Sequence, residues 1–188
     1  SVNILNGNSN KLHWIQSRLD NSKLITGIPY NSGARPNYFV YNSVVMISSV
    51  SVSELYHKII LAPMAEYIPF SDYFPFLKKF TLGILGNCTR GEDYILYDVE
   101  NAKIAPMVCI ESTFPSLNRD YVKQGAEVLV YVVNDGWYEH PPGPHQHARQ
   151  VIYRAVENRR PVIRCANTGI SMIVDAAGNI TNKIPLNE

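Results

Sequence analysis

The stretch Ala105-Pro106-Met107-Val108-Cys109-Ile110-Glu111-Ser112 decides how the chain is read. A short apolar run ends on a cysteine, and a carboxylate follows two residues later. Lys103 to Ile110 has the composition of a strand, and Ser116 to Gln124, closed by Gly125, that of a helix. Cys109 thus falls at the C-terminal end of a strand just before a helix, where open α/β folds collect reactive groups. Such a turn leaves backbone N–H groups free to bind an oxyanion. A free cysteine is also a common core residue. Glu111 weighs against that reading, because a carboxylate at a strand end in an apolar setting needs a partner. A cysteine nucleophile needs a base and an electrophilic partner, and those are sought in the rest of the chain.

Outward from this turn, strand and helix patterns alternate. Tyr94 to Val99 reads as a strand. Val128 to Val133 is a β-branched run bounded by Asn134-Asp135-Gly136, the profile of a strand buried on both faces. His145 to Arg159 is the strongest helix pattern, opened by Pro144 and stopped before Pro161. Val162 to Cys165 and Ile170 to Val174 follow as strands, with a turn at Ala177-Gly178-Asn179, and Pro185-Leu186-Asn187-Glu188 offers no obvious closing element. On the N-terminal side, Leu12, Ile15 and Leu19 fall at helical spacing within Lys11 to Leu19. Leu24 to Pro29 and Tyr38 to Ser48 read as strands, the second turning through Ser49 to Ser53 into a hairpin that ends near His57-Lys58. Ile59 to Phe70, with Pro63 and Pro69, reads as an ordered loop, and Asp72 to Lys79 as a short helix. The class is α/β.

Composition sets limits on the function. The 188 residues suit one domain, and 46% hydrophobic content is enough for a sizeable core. A net charge of +1 with scattered Lys and Arg gives no field pointing to nucleic acid. The cysteines, Cys88, Cys109 and Cys165, form neither a disulfide framework nor a CxxC metal pair. The longest apolar run, Val128 to Val133, is far short of the roughly 20 residues a membrane helix needs. His145 and His147, with His140 nearby, lack a third ligand at metal-site spacing, and the segment reads as a helix start. No metal or cofactor is expected.

Lys58, after Tyr56-His57, stands at a strand end where a cation can stabilise a developing oxyanion, and Glu66 follows eight residues later. Tyr56-His57-Lys58 through Pro63-Met64-Ala65-Glu66-Tyr67-Ile68-Pro69 resembles the lysine segment of the nitrilase, or carbon–nitrogen hydrolase, superfamily. Val108-Cys109-Ile110-Glu111 resembles its nucleophile segment. More narrowly, the chain resembles the catalytic domain of the bacterial apolipoprotein N-acyltransferase family. Tyr41-Asn42-Ser43, Asn134-Asp135-Gly136-Trp137, Gly143-Pro144-His145-Gln146-His147, Arg154 to Pro161 and Arg164 to Ile170 carry that narrower likeness. It runs from about Asn42 to Gly178.

The resemblance implies a nitrilase-like α-β-β-α sandwich and a Glu-Lys-Cys triad. In it Cys109 is the nucleophile, Lys58 the lysine, Glu66 a second glutamate in the lysine loop and Glu111 the acid after the nucleophile. It implies acyl transfer from a phospholipid donor, through a Cys109 thioester, to the N-terminal diacylglyceryl-cysteine of an apolipoprotein. The implied setting is the bacterial inner membrane, with this domain facing the periplasm. Two departures from the family pattern stand out. Ile110 replaces an aromatic residue, and no glutamate precedes Glu54, although the family's general-base glutamate lies in an early Pro-Glu pair. Residues 1–188 are therefore expected to be a partial catalytic domain, truncated at both ends and inactive by itself, with membrane helices outside it. The alternatives are a soluble amidase of the same superfamily, with water as acceptor, or an inactive fragment. Ile59 to Phe76 is rich in apolar residues that either face lipid or pack the domain. Trp137 and Tyr138 either line a substrate pocket or belong to the core.

Overall fold

The computed structural model describes residues 9–33, 38–70, 73, 74, 76, 88–138 and 142–186. The chain divides into two compact units, Ser1–Asp93 and Tyr94–Glu188.

The first unit is built on an antiparallel sheet of β1 (Leu24–Ser32), β2 (Phe39–Ile47) and β3 (Tyr56–His57). β1 and β2 pair from Leu24 opposite Ile47 to Ser32 opposite Phe39, and Ser43 lies opposite His57. Helix α1 (Ser9–Gln16) is weakly amphipathic, yet Leu12 and Ile15, with Leu19 beyond it, pack on Ile28, Val45 and Ile47. The 3.6-residue period in the sequence thus marks the stripe that the sheet covers. Lys58 directly follows β3, and its backbone N–H donates to the Asn42 carbonyl at 2.8 Å. Gly91 crosses it closely and donates to the Lys58 carbonyl at 2.8 Å; a Cβ at Gly91 would collide with the His57 carbonyl. Only glycine lets the backbone approach there.

The second unit holds a six-stranded sheet in chain order: β4 (Tyr97–Val99), β5 (Ala102–Val108), β6 (Val128–Val133), β7 (Val162–Ala166), β8 (Ser171–Val174) and β9 (Ile180–Ile184). β5, β6 and β7 are parallel and the outer pairs antiparallel. Helix α2 (Pro115–Lys123) joins β5 to β6, and α3 (Gly143–Asn158) joins β6 to β7. Right-handed crossovers between adjacent parallel strands put both helices on the same face. Met107, Tyr131, Arg164 and Met172 form one buried row across the sheet. Pro115 opens α2, and Arg159, in the left-handed region at φ +50°, ends α3.

Three expectations are corrected. The strand expected to reach Ile110 stops at Val108, because Cys109 takes φ +49° and starts a 3-10 helix, Cys109–Thr113. The strand expected from Tyr94 begins at Tyr97. The strand expected over Leu24 to Pro29 runs on to Ser32, opposite Phe39; past the turn at 177–179, Ile180–Ile184 forms β9, an exposed edge strand paired with β8. Residues 59–70 form an ordered loop, with a bridge between Pro63 and Tyr67. The short helix expected over 72–79 falls almost entirely outside the described residues.

Candidate active site

Cys109 sits at the carboxyl end of β5, partly accessible, in a conformation that costs a non-glycine residue about 1–2 kcal/mol. Several buried groups hold it there. Glu111 is fully buried, and its Oε2 accepts the Val108 N–H at 2.7 Å, tying the turn back to the strand it leaves. Asn118, on α2, donates to the Glu111 carbonyl at 3.1 Å and the Phe114 carbonyl at 2.8 Å. The Tyr131 hydroxyl donates in turn to Asn118 Oδ1. The turn is thereby anchored to β5, α2 and β6.

Beneath the turn lies a second buried cluster. His147 on α3, Asp135 just past β6 and Arg164 on β7 are 5%, 2% and 1% exposed. His147 Nδ1 is 2.7 Å from Asp135 Oδ1, and Arg164 Nη2 donates to Asp135 Oδ2. Arg164 Nε donates to the Ile170 carbonyl at 3.0 Å. Burial pulls the guanidinium below its ordinary value, and the charges on Asp135, Cys109 and Tyr138 oppose that. Burial likewise pushes the Tyr138 hydroxyl up, helped by Cys109 and Asp135 and opposed by Arg164. Gly169, at φ +125°, packs on Asp135 where a Cβ would meet the carboxylate.

In the first unit, Lys58 is 1% exposed and its Nζ lies 2.7 Å from Glu66 Oε2. Oε2 also accepts the Ala62 N–H at 2.7 Å, and Oε1 accepts from Asn42 Nδ2 at 2.7 Å. A buried ammonium is sustained only when paired and hydrogen-bonded, and the loop supplies both conditions. The Cys88 N–H donates to the Glu66 carbonyl at 2.7 Å. Burial and the Glu66 charge push the Cys88 thiol up to about 11, against the pull of Lys58, so this cysteine stays protonated and inert.

Lys58 is therefore brought together with Glu66, and Cys109 with Glu111; the first pair belongs to the first unit and the second pair to the second. Sequence reasoning missed the roles of His147, Asp135, Arg164 and Asn118. A signal was present: Asp135 stands two residues past an apolar strand, and Arg164 lies inside one, where a charge requires a partner. Trp137 and Tyr138 are each about half exposed, at 46% and 45%. Among the described residues no group of three or more His, Cys, Asp or Glu could hold a metal ion, and no helix is long and apolar enough to cross a membrane.

Cys109 at a strand end, with the buried Glu111 behind it, lies on a mixed sheet whose parallel strands are joined by helices, an α/β arrangement. The carbon-nitrogen hydrolase family matches residues 6–188, and the chain belongs to that family. It is 41% identical over 129 residues to an apolipoprotein N-acyltransferase of Geobacter metallireducens, covering 69% of this chain and 25% of that protein. It is 35% identical over 196 residues to that of Rhizobium rhizogenes, covering 98% of this chain and 36% of that one. The chain spans about a quarter to a third of the length of these curated relatives. Among solved structures, a nitrilase-superfamily protein of Saccharomyces cerevisiae superposes with TM-score 0.67 at 19% identity, covering 95% of this chain and 62% of that one. A carbon-nitrogen hydrolase from Helicobacter pylori gives 0.68 at 18%, covering 94% and 63%. The fold is nitrilase-like α/β.

Proposed function

We propose that this chain is the catalytic portion of an N-acyltransferase that moves an acyl chain from a phospholipid to the N-terminal diacylglyceryl-cysteine of an apolipoprotein. The observation that carries the reading is the 32–41% identity to apolipoprotein N-acyltransferases over most of this chain. In this reading Cys109 loses its proton to a carboxylate base, which the family supplies from a glutamate upstream of the lysine segment. The thiolate attacks the ester carbonyl carbon of the phospholipid. Lys58 and the Ile110 N–H stabilise the tetrahedral oxyanion. Its collapse breaks the C–O bond, and the departing lysophospholipid takes the proton back. The α-amine of the acceptor then attacks the thioester, forming the amide and returning the thiol. Glu66 orients Lys58, and Glu111 holds the turn that presents Cys109. Such an enzyme works at the bacterial inner membrane with this domain on the periplasmic side.

The test uses the full-length protein and a labelled phospholipid, with the thioester trapped by acid quench. The wild type forms a hydroxylamine-sensitive adduct at Cys109, and Cys109→Ala forms none. Lys58→Ala keeps the thiol but acylates more slowly by on the order of 100-fold or more, the usual loss for one oxyanion donor. Chase with a diacylglyceryl-cysteine peptide discharges the adduct to an amide. An acylated Cys109→Ala protein, or discharge to water alone, overturns the reading; the latter would make the chain a hydrolase.

A further inference from the structure

Cys109 takes a left-handed conformation at φ +49°, and its carbonyl oxygen is approached by further buried groups. Two side chains converge there: Ser112 Oγ donates to it at 3.0 Å, and His147 Nε2 lies 3.2 Å away. Ser112 Oγ and His147 Nε2 are themselves 3.1 Å apart. We propose that His147 is a positioning residue for the thiol, gripping the Cys109 carbonyl through its Nε2 edge while Asp135 and Arg164 hold its Nδ1 edge.

The hydrogen-bond inventory supports this assignment. Asp135 is ion-paired to Arg164 and accepts, so His147 Nδ1 carries a proton and donates to it at 2.7 Å. The serine hydroxyl has a single proton and gives it to the Cys109 carbonyl. His147 Nε2 then faces two acceptor atoms, the carbonyl oxygen and Ser112 Oγ, and is itself a donor. The grip spans four elements: the 3-10 helix, the end of β6, α3 and β7. All three side chains of the His147–Asp135–Arg164 chain are at least nine-tenths buried, so the geometry is fixed by packing rather than by solvent. Pinning the carbonyl of a residue at φ +49° fixes its Cα–Cβ vector and hence where Sγ points. His147 acts through Cys109 and needs no contact with substrate.

The inference rests on the reading of Cys109 as the nucleophile, but its test needs no acyl donor. Thiol alkylation by iodoacetamide is followed peptide by peptide in the full-length protein. His147→Asn keeps a polar atom near the Nδ1 position and loses the Nε2 donor; His147→Gln reaches the Nε2 position and releases Asp135. The Asn variant slows Cys109 alkylation about 10- to 100-fold, the scale of a misplaced reacting group. The Gln variant regains most of the wild-type rate. Cys165, exposed on β7, labels at the wild-type rate in both, and buried Cys88 stays unlabelled. Wild-type reactivity of Cys109 in His147→Asn, or equal slowing in Asn and Gln variants, overturns the proposal. Labelling of Cys88 marks a variant that has opened, and Ser112→Ala then carries the test. It leaves His147 Nε2 as the donor on the Cys109 carbonyl, so Cys109 keeps most of its wild-type rate, and a loss of about 10-fold or more assigns the positioning to Ser112 and overturns the proposal.

Discussion

Lys58 and Glu66 show how one charged pair divides its work unequally. The carboxylate has three donors: the Lys58 ammonium, the Asn42 amide and the Ala62 N–H. The ammonium, 1% exposed, contacts that carboxylate at 2.7 Å. Removing the acid strands a buried cation, whereas removing the cation leaves the acid with two donors. Glu66→Ala is therefore expected to cost about 3–5 kcal/mol of stability, the range for breaking a buried pair from one side. Lys58→Met, which keeps much of the side-chain volume, costs less. Thermal unfolding of the full-length variants measures the difference. Equal losses would show that the Asn42 and Ala62 bonds contribute nothing to holding the carboxylate.

The β2–β3 ladder that delivers Lys58 carries its own titrating group. His57 pairs with Ser43 in the register, and its Nδ1 is 2.7 Å from the Ser43 hydroxyl. Its ring stacks on Tyr41 at 4.2 Å and on Tyr30 at 5.6 Å between centroids. Burial lowers its pKa from 6.5, and the Asp93 charge opposes that shift. The folded state then binds fewer protons than the unfolded one, so stability rises with pH across this window. The contribution is complete above about pH 6.5 and is lost as pH falls through the depressed folded value. Amide exchange across β2 and β3 in the full-length protein should accelerate on acidification more in wild type than in His57→Gln, at matched pH. Parallel profiles would remove His57 as the cause. These elements were legible in the sequence because their patterns are local: alternation over Tyr38 to Ser48, β-branching over Val128 to Val133, Pro144 and Pro161 bracketing a helix. Lys58, Glu66, Cys109 and Glu111 were singled out by motif, and the structure pairs Lys58 with Glu66 and ties Glu111 to the turn at Cys109. The clamp of His147, Asp135 and Arg164 was not, since it arises where β6, β7 and α3 converge across sequence gaps that no periodicity spans. β9 escaped because its five residues are all exposed and show no alternation; its pairing with β8 makes it a strand.

On the scale of the whole molecule, exposed aromatic residues concentrate in the loop that follows Lys58. Ile59 and Ile68 are buried at 5% and 4%, so part of the apolar loop does pack the domain. Phe70, Tyr73, Phe74 and Phe76 are instead exposed, and the rings of Phe74 and Phe76 meet edge to face at 6.1 Å. Clustered exposed apolar groups of this size mark a contact surface, whereas isolated ones such as Val50 in the β2–β3 turn do not. Each phenylalanine transferred from water to acyl chains gains about 1.5–3 kcal/mol, enough for a few of them to hold the loop in a bilayer. An enzyme drawing its acyl group from a phospholipid gains by keeping the loop that carries Lys58 at the lipid surface. A photoreactive benzophenone side chain placed at Phe70, Phe74 or Phe76 of the full-length protein in bilayers should therefore form phospholipid adducts on irradiation, and the same group at Val50 should form far fewer. Adducts no more frequent at the three phenylalanine positions than at Val50 would show that this loop does not face lipid.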